Sequence, residues 1–412
     1  MKIAVVGSGI SGLSAAYYLS KKHKVDLFEK NDHFGGHSYT LDLNVNNKKI
    51  SADIGFIVFN YKTYPNLINF FKENSIEIEE SNMSFSVSVK DTNFEYCGKG
   101  ISGMFCNKLN LFNLKFLKMF FDVIKFYKKN ENMKLTDNNL TLGEYLNKEK
   151  LSKEFIDYHI IPMVAAIWSM PPYEASQMPL SFFLKFFQNH GLFKLKNRPK
   201  WYTVSNRSRT YVNKILKKIS GEYYKNYKIN LIKRHKENIE IFYGERNEFF
   251  SYDKVVIATH ADEALSILEN PTEIEKTLLS NFKYKSNLAV IHTDKNQMPR
   301  NKKAWSAWNA KLNKNVRENS SITYWLNLLQ NLKIDEDIFL SLNPFDRIDE
   351  QKILNKVTFA HPYYDKLALE NQAELKKLQN VNNTLFCGSY FGYGFHEDGI
   401  TSSIDMLKSI ND

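Results

Sequence analysis

The first thirty residues contain two apolar runs with a glycine-rich break and a helical segment between them. Residues 2–6 form an apolar run, as expected for a strand buried on both faces, and an apolar helical segment occupies 13–19. A second apolar run, 25–28, ends at the acidic residue Glu29. A strand, a helix and a strand within about 30 residues predict a parallel crossover unit at the start of the chain.

The rest of the chain changes character twice. Residues from about 61 to 200 show helical periodicity, most clearly at 111–129 and 180–187, and the segment from about 280 to 375 is mixed and aromatic. Strand-like runs return at 227–232, 239–242, 255–259 and 384–388. We therefore predict an α/β fold with two discontinuous domains: a doubly wound, Rossmann-like domain of residues 1–60, 205–275 and 380–412, and a second, α+β domain of residues 61–204 and 276–379 that would hold the substrate.

Three glycines between the first strand and the first helix, Gly7, Gly9 and Gly12, form a GxGxxG pattern. Gly7 allows a tight turn, Gly9 lets a pyrophosphate approach the backbone, and Gly12 lets the helix lie close on the sheet. The helix N-terminus, at Ile10 and Ser11, offers unpaired N–H groups to phosphates. The pattern predicts a dinucleotide site, and the alternative is a glycine turn of another α/β protein.

Glu29 and the adjacent Lys30 end the second strand, where a dinucleotide ribose would lie. A carboxylate here accepts hydrogen bonds from ribose and repels a 2′-phosphate, so NADP is disfavoured. A second match to the glycine pattern, 98–103, has neither a buried strand before it nor an acid at the right distance after it. We interpret that second match as an unrelated loop, which leaves one dinucleotide site.

Composition and charge narrow the classes of function. The chain has 412 residues, 43% of them hydrophobic, and a net charge of +11, which is an ordinary globular composition. Only 8 of its 56 basic residues are arginine, so we expect no specific nucleic-acid binding. Three cysteines without a CxxC pair predict no disulfide framework, and we expect no metal site. No apolar stretch is long enough to span a membrane, and the chain begins directly as a strand, so we expect a cytoplasmic protein.

Several further motifs resemble those of the flavin amine oxidase superfamily, which includes monoamine and polyamine oxidases, protoporphyrinogen oxidase and phytoene-type desaturases. The resemblance covers nearly the whole chain and looks closest to a bacterial branch of amine-oxidase-like flavoproteins. It implies FAD as the cofactor. Besides the residues named above, the matching positions are Gly35, Gly36, His37, Asp53, Ile54, Gly55, Ile229, Ala258, Thr259, Gly388, Ser389, Asp398, Gly399 and Ile400.

The resemblance also implies roles near the C-terminus. The helix after Gly399 would point its N-terminus at the flavin, with the N–H groups of Gly399 and Ile400 beside it; the alternative is an ordinary terminal helix. Phe395 stands where relatives place a tyrosine of an amine-binding aromatic cage, and His396 is a candidate general base or polar contact for substrate. Asp398 is a candidate flavin contact or simply the cap of this helix. Since no cysteine matches the covalent attachment site, we expect dissociable FAD.

Two further features leave alternatives open. The aromatic residues Trp305, Trp308, Tyr324 and Trp325 form either core or the wall of an apolar pocket. The helix at 111–129 places lysines on one stripe and aromatic residues on the others. That pattern fits a helix lying on a membrane surface, or a helix docked on the core with a solvated lysine face.

These observations define three hypotheses. The first is an FAD-dependent oxidoreductase of the oxidase, dehydrogenase or desaturase type that transfers a hydride from an apolar, lipid-like or amine substrate to flavin N5. The second is an NAD-linked dehydrogenase. The third is a non-catalytic, membrane-surface lipid-binding protein. The expected partners are an apolar small molecule and, through the lysine-rich helix, the inner face of the membrane.

Overall fold

The computed structural model describes residues 1–134, 140–244, 248–313 and 320–410. Numbered along the chain, the strands are β1 (Lys2–Val6), β2 (Lys24–Phe28), β3 (Thr40–Val45), β4 (Lys48–Asp53), β5 (Ile78–Ser81), β6 (Phe85–Val89), β7 (Glu95–Cys97), β8 (Trp201–Val204), β9 (Tyr223–Tyr224), β10 (Ile229–Arg234), β11 (Ile239–Tyr243), β12 (Glu248–Tyr252), β13 (Lys254–Ile257), β14 (Lys283–His292), β15 (Trp308–Leu312), β16 (Ser320–Trp325), β17 (Phe339–Leu342), β18 (Ile353–Tyr363) and β19 (Thr384–Phe386).

The helices are α1 (Ile10–Leu19), α2 (Pro65–Glu73), α3 (Gly100–Met104), α4 (Leu114–Asn130), α5 (Leu142–Lys148), α6 (Lys153–Phe155), α7 (Ile161–Trp168), α8 (Pro172–Gln177), α9 (Leu180–Asn189), α10 (Arg209–Leu216), α11 (Ala261–Ser266), α12 (Glu273–Leu279), α13 (Leu326–Gln330), α14 (Lys366–Gln372) and α15 (His396–Lys408). A π-helical turn, Ile156–Ile160, joins α6 to α7. Within the described residues, no helix is both long and apolar enough to cross a bilayer.

A five-stranded parallel sheet contains the start, the middle and the end of the chain. Its strand order is β19-β13-β1-β2-β9. The apolar run of β1 is buried because β2 and β13 flank it, α1 covers one of its faces and the three-stranded sheet β10-β11-β12 covers the other. The carboxyl ends of parallel strands meet at one edge, so the turns after β1, β2 and β13 lie together there. This sheet confirms the predicted α/β class with a Rossmann-like domain.

The second large sheet is mixed and has the order β18-β14-β17-β16-β15-β6-β7. It is built largely from the segment whose pattern is mixed and aromatic in the sequence, and β6 joins it by pairing parallel with β15, more than 200 residues away. In the sequence, helices α3 to α9 lie between β7, the last strand of this sheet to come from the first half of the chain, and β8. All of its strands fall within the segments assigned to the substrate domain, although the domain boundaries themselves stay a prediction.

Helix α4 begins three residues later than the periodicity indicates. The side chain of Asn113 accepts hydrogen bonds from the N–H groups of Lys115 and Phe116, at 3.1 and 3.2 Å, and so caps the helix. The preceding residues, Lys108–Phe112, form a separate 3₁₀ turn. The loop at 98–103 also differs from expectation, because a short buried strand, β7, precedes it; that strand lies at the edge of the mixed sheet and not in the parallel one.

The first and last helices pack side by side. A Cβ on Gly12 would lie 1.8 Å from the carbonyl oxygen of Gly7, so the first turn of α1 lies directly on the β1 turn. A Cβ on Gly399 would lie 2.8 Å from the side chains of Ile10 and Ser11. Only residues without a side chain allow these approaches, and they bring the N-terminal turn of α15 next to that of α1.

The carboxylate of Asp398 caps the start of α15. Its Oδ2 accepts a hydrogen bond of 2.9 Å from the N–H of Phe395. Desolvation raises the pKa of this carboxyl to about 6, although nearby backbone N–H groups, first that of Phe395, act to lower it. Tyr64, Tyr364 and Tyr393 lie near enough to feel its charge. Asp398 therefore performs the capping role that the sequence left as an alternative.

We predict that Gly12→Ala unfolds the N-terminal unit. The added methyl group would overlap the backbone of Gly7, and the cost should be about 3 kcal/mol or more in the free energy of unfolding. Gly9→Ala is the matched control, because its Cβ would meet nothing within 4 Å, and it should change that free energy by less than about 1 kcal/mol. Urea denaturation measures both variants, and equal midpoints would contradict this packing.

We predict that Asp398→Asn removes a pH dependence of stability. The folded-state pKa of about 6 lies above the ordinary 3.8, so the folded protein binds more protons than the unfolded chain between these values. Wild-type stability contributed by this group therefore falls as the pH rises from 4 to 7. The variant should gain about 1–3 kcal/mol relative to the wild type across that window, as measured by urea denaturation at each pH.

The control for this experiment is Asp405→Asn, at an exposed position of the same helix. Its stability relative to the wild type should show no comparable rise between pH 4 and pH 7. If the free energy of unfolding of Asp398→Asn relative to the wild type also stayed constant with pH, the Asp398 carboxyl would not be desolvated in the folded protein.

Candidate functional site

One cavity of about 1820 Å³ is lined by both ends of the chain. Residues 6–11 of the first turn and residues 388–390 and 393–396 before α15 all contribute to its wall. Ordinary small-molecule pockets measure roughly 300–1,000 Å³, so this cavity has room for a dinucleotide together with a second molecule. Two segments separated by nearly the whole sequence thus form a single site.

The first turn forms an open cradle at the N-terminus of α1. Gly9 lines the cavity, and a Cβ placed on it would meet no atom within 4 Å. Ile10 and Ser11 line it as well, and they begin the helix, where N–H groups have no intrahelical acceptor. Gly36 approaches the Cα of Gly9 from the other side. The arrangement fits an anion held against backbone N–H groups.

Glu29 lies at the end of the cavity beyond this cradle. Its Oε2 accepts hydrogen bonds from the N–H and Oγ of Ser8, at 3.1 and 2.6 Å. Its Oε1 accepts hydrogen bonds from the N–H and Nδ2 of Asn31, at 2.9 and 2.8 Å. Lys30 lines the same end and pairs with Glu263, and Ile229 follows on the opposite wall. These contacts fix the orientation of a carboxylate suited to binding ribose.

Histidines concentrate on the next part of the wall, beside Ala258 and Thr259. The ring of His37 stacks on Phe359, with centroids 5.2 Å apart, and lies 5.4 Å from the ring of His361. Burial holds the pKa of His37 well below its ordinary value and lowers that of His361 to about 4, so both rings are neutral at pH 7. In the described part of the chain, no group of His, Cys, Asp and Glu is arranged to hold a metal ion.

Four buried polar atoms on the cavity wall have no hydrogen-bond partner within the described structure: His37 Nε2, His361 Nδ1, Trp308 Nε1 and Tyr390 Oη. Buried polar groups are almost always paired, because an unpaired one costs free energy. A polar ligand or ordered water in the cavity would satisfy these four atoms.

His396 occupies the first position of α15 and borders the cavity. Its ring lies over that of Phe56, with centroids 3.6 Å apart, and its Nε2 is 2.9 Å from the hydroxyl of Ser38. Burial lowers the pKa of His396 to about 3, so the imidazole is neutral. Phe395 also lines the cavity, and its ring stacks on that of Phe186 at 5.3 Å. The catalytic roles of both residues stay predictions.

The far end of the cavity is largely apolar, and its histidines, His159 and His190, are neutral because burial lowers their pKa values to about 3 and about 4. Its wall includes Met83, Phe85, Met104, Phe120, Val123, Ile124, Met163, Ile167, Trp168, Phe186 and Leu192. The four aromatic residues for which the sequence left two alternatives, core or pocket wall, are divided between these two environments. Trp308 and Tyr324 line the cavity, whereas Trp305 and Trp325 pack with Phe339 in a separate cluster.

Asp53 does not line the cavity, contrary to the expectation from the resemblance. Its buried carboxylate accepts hydrogen bonds from the Thr40 hydroxyl, at 2.5 Å, and from the N–H and Oγ of Ser208, both at 2.8 Å. Its backbone also pairs with the Gln330 amide. Asp53 therefore joins three segments of the fold, and its neighbours Ile54 and Gly55 are the residues that reach the cavity.

Five other predicted contacts also lie behind the wall: Gly12, Gly35, Asp398, Gly399 and Ile400. The N–H of Gly399 donates to the carbonyl of Phe395 within α15, so it is not available to a ligand. Ile400 is fully buried against the helix α1 cluster. Both groups belong to the second turn of the helix, behind the cavity wall, and their contact with a flavin stays a prediction.

Sequence reasoning missed several wall residues. Phe56, His260 and His361 line the cavity, as do Tyr284 and Trp168. His260 directly follows the predicted Ala258-Thr259 strand end, and that position was a usable signal. Phe56 directly follows the predicted Gly55 and had the same kind of signal. Tyr284 and His361 lie on β14 and β18, whose pairing is long-range, so no local pattern identifies them.

Comparisons with known proteins agree with this geometry. Residues 5–73 match a family model described as an NAD(P)-binding Rossmann-like domain. No curated protein sequence matches the chain.

Solved structures match it over nearly its whole length. One is described as a protoporphyrinogen oxidase from Exiguobacterium sp. 255-15, with 13% identity, a TM-score of 0.70 and 99% and 98% of the two chains covered. A second is a fatty acid isomerase from P. acnes that produces CLA, with 15% identity, a TM-score of 0.68 and the same coverage. A third is a cyclohexylamine oxidase from Brevibacterium oxydans IH-35A, with 13% identity, a TM-score of 0.66 and coverage of 100% and 99%. The chain therefore shares the fold of these solved structures over nearly its whole length.

Proposed function

We propose that this protein is an FAD-dependent oxidoreductase that removes a hydride from an apolar substrate. One observation carries the proposal: a single cavity joins the dinucleotide cradle, the start of the last helix and an apolar chamber. A dinucleotide lying from Glu29 towards His396 would place its reactive end beside the chamber.

The residues present fit FAD on two counts. The empty space at Gly9 accommodates the pyrophosphate, and the unpaired ring nitrogen of His37 offers a polar contact further along the wall. Glu29 would hold the ribose, by exchanging one of its hydrogen bonds from Ser8 or Asn31 for a ribose hydroxyl. Ile229, Ala258 and Thr259 would border the adenosine end.

When bound, FAD supplies a hydride acceptor at N5 of its isoalloxazine ring. The chain's own part is to orient the substrate, exclude water and provide a fixed electrostatic environment. The N-terminus of α15 directs its partial positive charge towards the cavity. The neutral His396, held by Ser38 and Phe56, shapes the wall there and does not act as a strong base at pH 7.

The chamber favours a neutral substrate over an amine. Three carboxylates line the cavity among the described residues, and each has a partner: Glu29 with Ser8 and Asn31, Glu263 with Lys30, and Glu80 with Lys200. None is left to balance an ammonium group in the apolar chamber, where an unpaired charge is costly. Of the compound classes named for the similar structures, a fatty acyl chain suits this wall better than an alkylamine.

The two rival hypotheses predict different behaviour. An NAD-linked dehydrogenase would show nicotinamide-dependent turnover and hold no flavin. A non-catalytic lipid-binding protein would bind vesicles without any redox change. The orphaned polar atoms support a bound polar ligand over the lipid-binding hypothesis, and the paired glycine turns at 7–12 and 35–36 support the flavin proposal over an NAD-linked dehydrogenase.

We predict that the purified protein is yellow. Mass spectrometry of the small molecules released from it should detect FAD together with an apolar compound. Anaerobic addition of that compound should bleach the visible flavin bands, and cyclohexylamine, the charged control, should leave them unchanged. A colourless protein that takes up no FAD would contradict the proposal.

We predict that Gly9→Val loses FAD but keeps its fold. The isopropyl group would fill the space needed by the pyrophosphate, whereas the backbone at Gly9 has φ −60° and the cavity around its Cβ is open. Flavin absorbance per mole of protein should fall at least tenfold, with the urea midpoint of the apoprotein close to that of wild-type apoprotein. A full complement of flavin in this variant would place the cofactor elsewhere.

A further inference from the structure

Six large apolar side chains are exposed within 21 residues of sequence, and we refer to them as the apolar patch: Ile101, Leu109, Leu111, Phe112, Leu114 and Phe121. Phe112 and Leu114 are 85% and 82% exposed. These residues belong to α3, the 3₁₀ turn Lys108–Phe112 and α4, which are held together by the contact of Phe105 with Phe116 and Phe120. Single exposed apolar residues are ordinary, but a cluster of this kind marks an interaction surface.

The surface around the apolar patch is strongly basic. Residues 98–130 contain seven lysines and a single carboxylate, Asp122. Asp122 is used internally, because it accepts a hydrogen bond from the N–H of Ser152. Among the described residues, no carboxylate lies within ion-pair distance of Lys108, Lys118 or Lys125. An anionic partner would therefore meet exposed lysines without an ion pair in the same segment as the apolar patch.

The cavity opens beside the apolar patch. Ile101 is 72% exposed and also lines the cavity, and Leu195 is a second residue that does both. Helix α4 has Phe120 and Ile124 on the cavity wall and the adjacent Phe121 on the outer surface. The exposed basic residues Lys196, Arg198 and Lys200 complete this rim. The apolar chamber thus continues onto the exposed apolar surface.

We propose that the apolar patch docks on the surface of an anionic phospholipid bilayer, so that the apolar substrate enters the chamber directly from the membrane. The docking itself is independent of the proposed function. Only the statement that substrate enters from the membrane rests on that function. Exposed phenylalanine and leucine side chains enter the acyl boundary, and the surrounding lysines face the headgroups. A protein partner would need carboxylates to match these lysines and would also block the entrance to the cavity.

The sequence left open whether the 111–129 helix lies on a membrane or carries a solvated lysine face. The structure adds that the lysines Lys115 and Lys129 are engaged with Glu154 and Glu149 on the protein itself. It also adds the exposed side chains that precede the helix, which its periodicity does not reveal. The proposed docking surface is therefore the apolar patch with its unpaired lysines, and not the helix alone.

Vesicle sedimentation with the full-length protein tests the proposal. Vesicles of phosphatidylcholine with about one third phosphatidylglycerol should bind the wild type at least tenfold more tightly than pure phosphatidylcholine, and high salt should weaken the binding. Phe112→Ser/Leu114→Ser should reduce binding at least tenfold. Lys118→Gln/Lys125→Gln should remove most of the preference for the anionic lipid.

Phe249→Ser/Leu367→Ser is the matched control, because both side chains are 52% exposed and lie outside the apolar patch. It should bind vesicles as the wild type does. Because all these side chains are exposed, each variant should keep the wild-type urea midpoint. The proposal would be overturned if the wild-type protein stayed in the supernatant, or if a patch variant bound vesicles as well as the control does. It would also be overturned if the wild type self-associated through the apolar patch without binding vesicles, and the patch variant lost that self-association.

The docking surface and the proposed oxidoreductase can fail separately. Protein that holds FAD but does not sediment with anionic vesicles would refute the docking surface alone. Protein that sediments through the apolar patch but takes up no FAD would refute the oxidoreductase and leave the docking surface in place. Flavin content is therefore measured on the same samples, and Phe112→Ser/Leu114→Ser should retain all of it.

Discussion

The close contact between the first and last helices is the constraint on which the site depends. Gly12 allows α1 to lie on the β1 turn, and Gly399 allows α15 to lie against the first turn of α1. The hydroxyls of Ser14 and Ser403 then meet at 2.6 Å between the two helices. A side chain at Gly12 would push α1 off the β1 turn, and one at Gly399 would press on Ile10 and Ser11 of α1. Because the two helices stay together, the cradle at the N-terminus of α1 and the start of α15 line the same cavity.

The parallel sheet could be predicted from the sequence, and the mixed sheet could not. A strand buried on both faces is apolar throughout, so β1 and β13 are visible as continuous runs. Strand β14 is different, because its first half is largely exposed and its second half is buried. It therefore shows neither the alternation of a half-buried strand nor the continuous apolar run of a fully buried one. Its sheet also depends on the pairing of β6 with β15, which leaves no local signal.

The sequence could predict which types of residue form the candidate site, but it could not predict which way each side chain points. Tyr324 and Trp325 are consecutive in β16, so they point to opposite faces, and only Tyr324 reaches the cavity. Asp53 has the residue type of a ligand contact, yet its hydrogen bonds all go to Thr40, Ser208 and other parts of the chain. Strand alternation and tertiary hydrogen bonds of side chains decide such cases, and both depend on how distant segments meet.

Electrostatics divide the cavity into regions with different chemistry. Burial lowers the pKa values of His37, His260, His361 and His396, so the middle of the cavity carries no histidine charge at neutral pH. Charged groups occur at the Glu29 end and at the basic rim. A substrate that enters past the rim must leave its solvent in a neutral, apolar chamber, and that step penalises a charged molecule but favours a hydrocarbon chain. In the function that we propose, the same neutral wall would both protect hydride transfer from water and select the substrate.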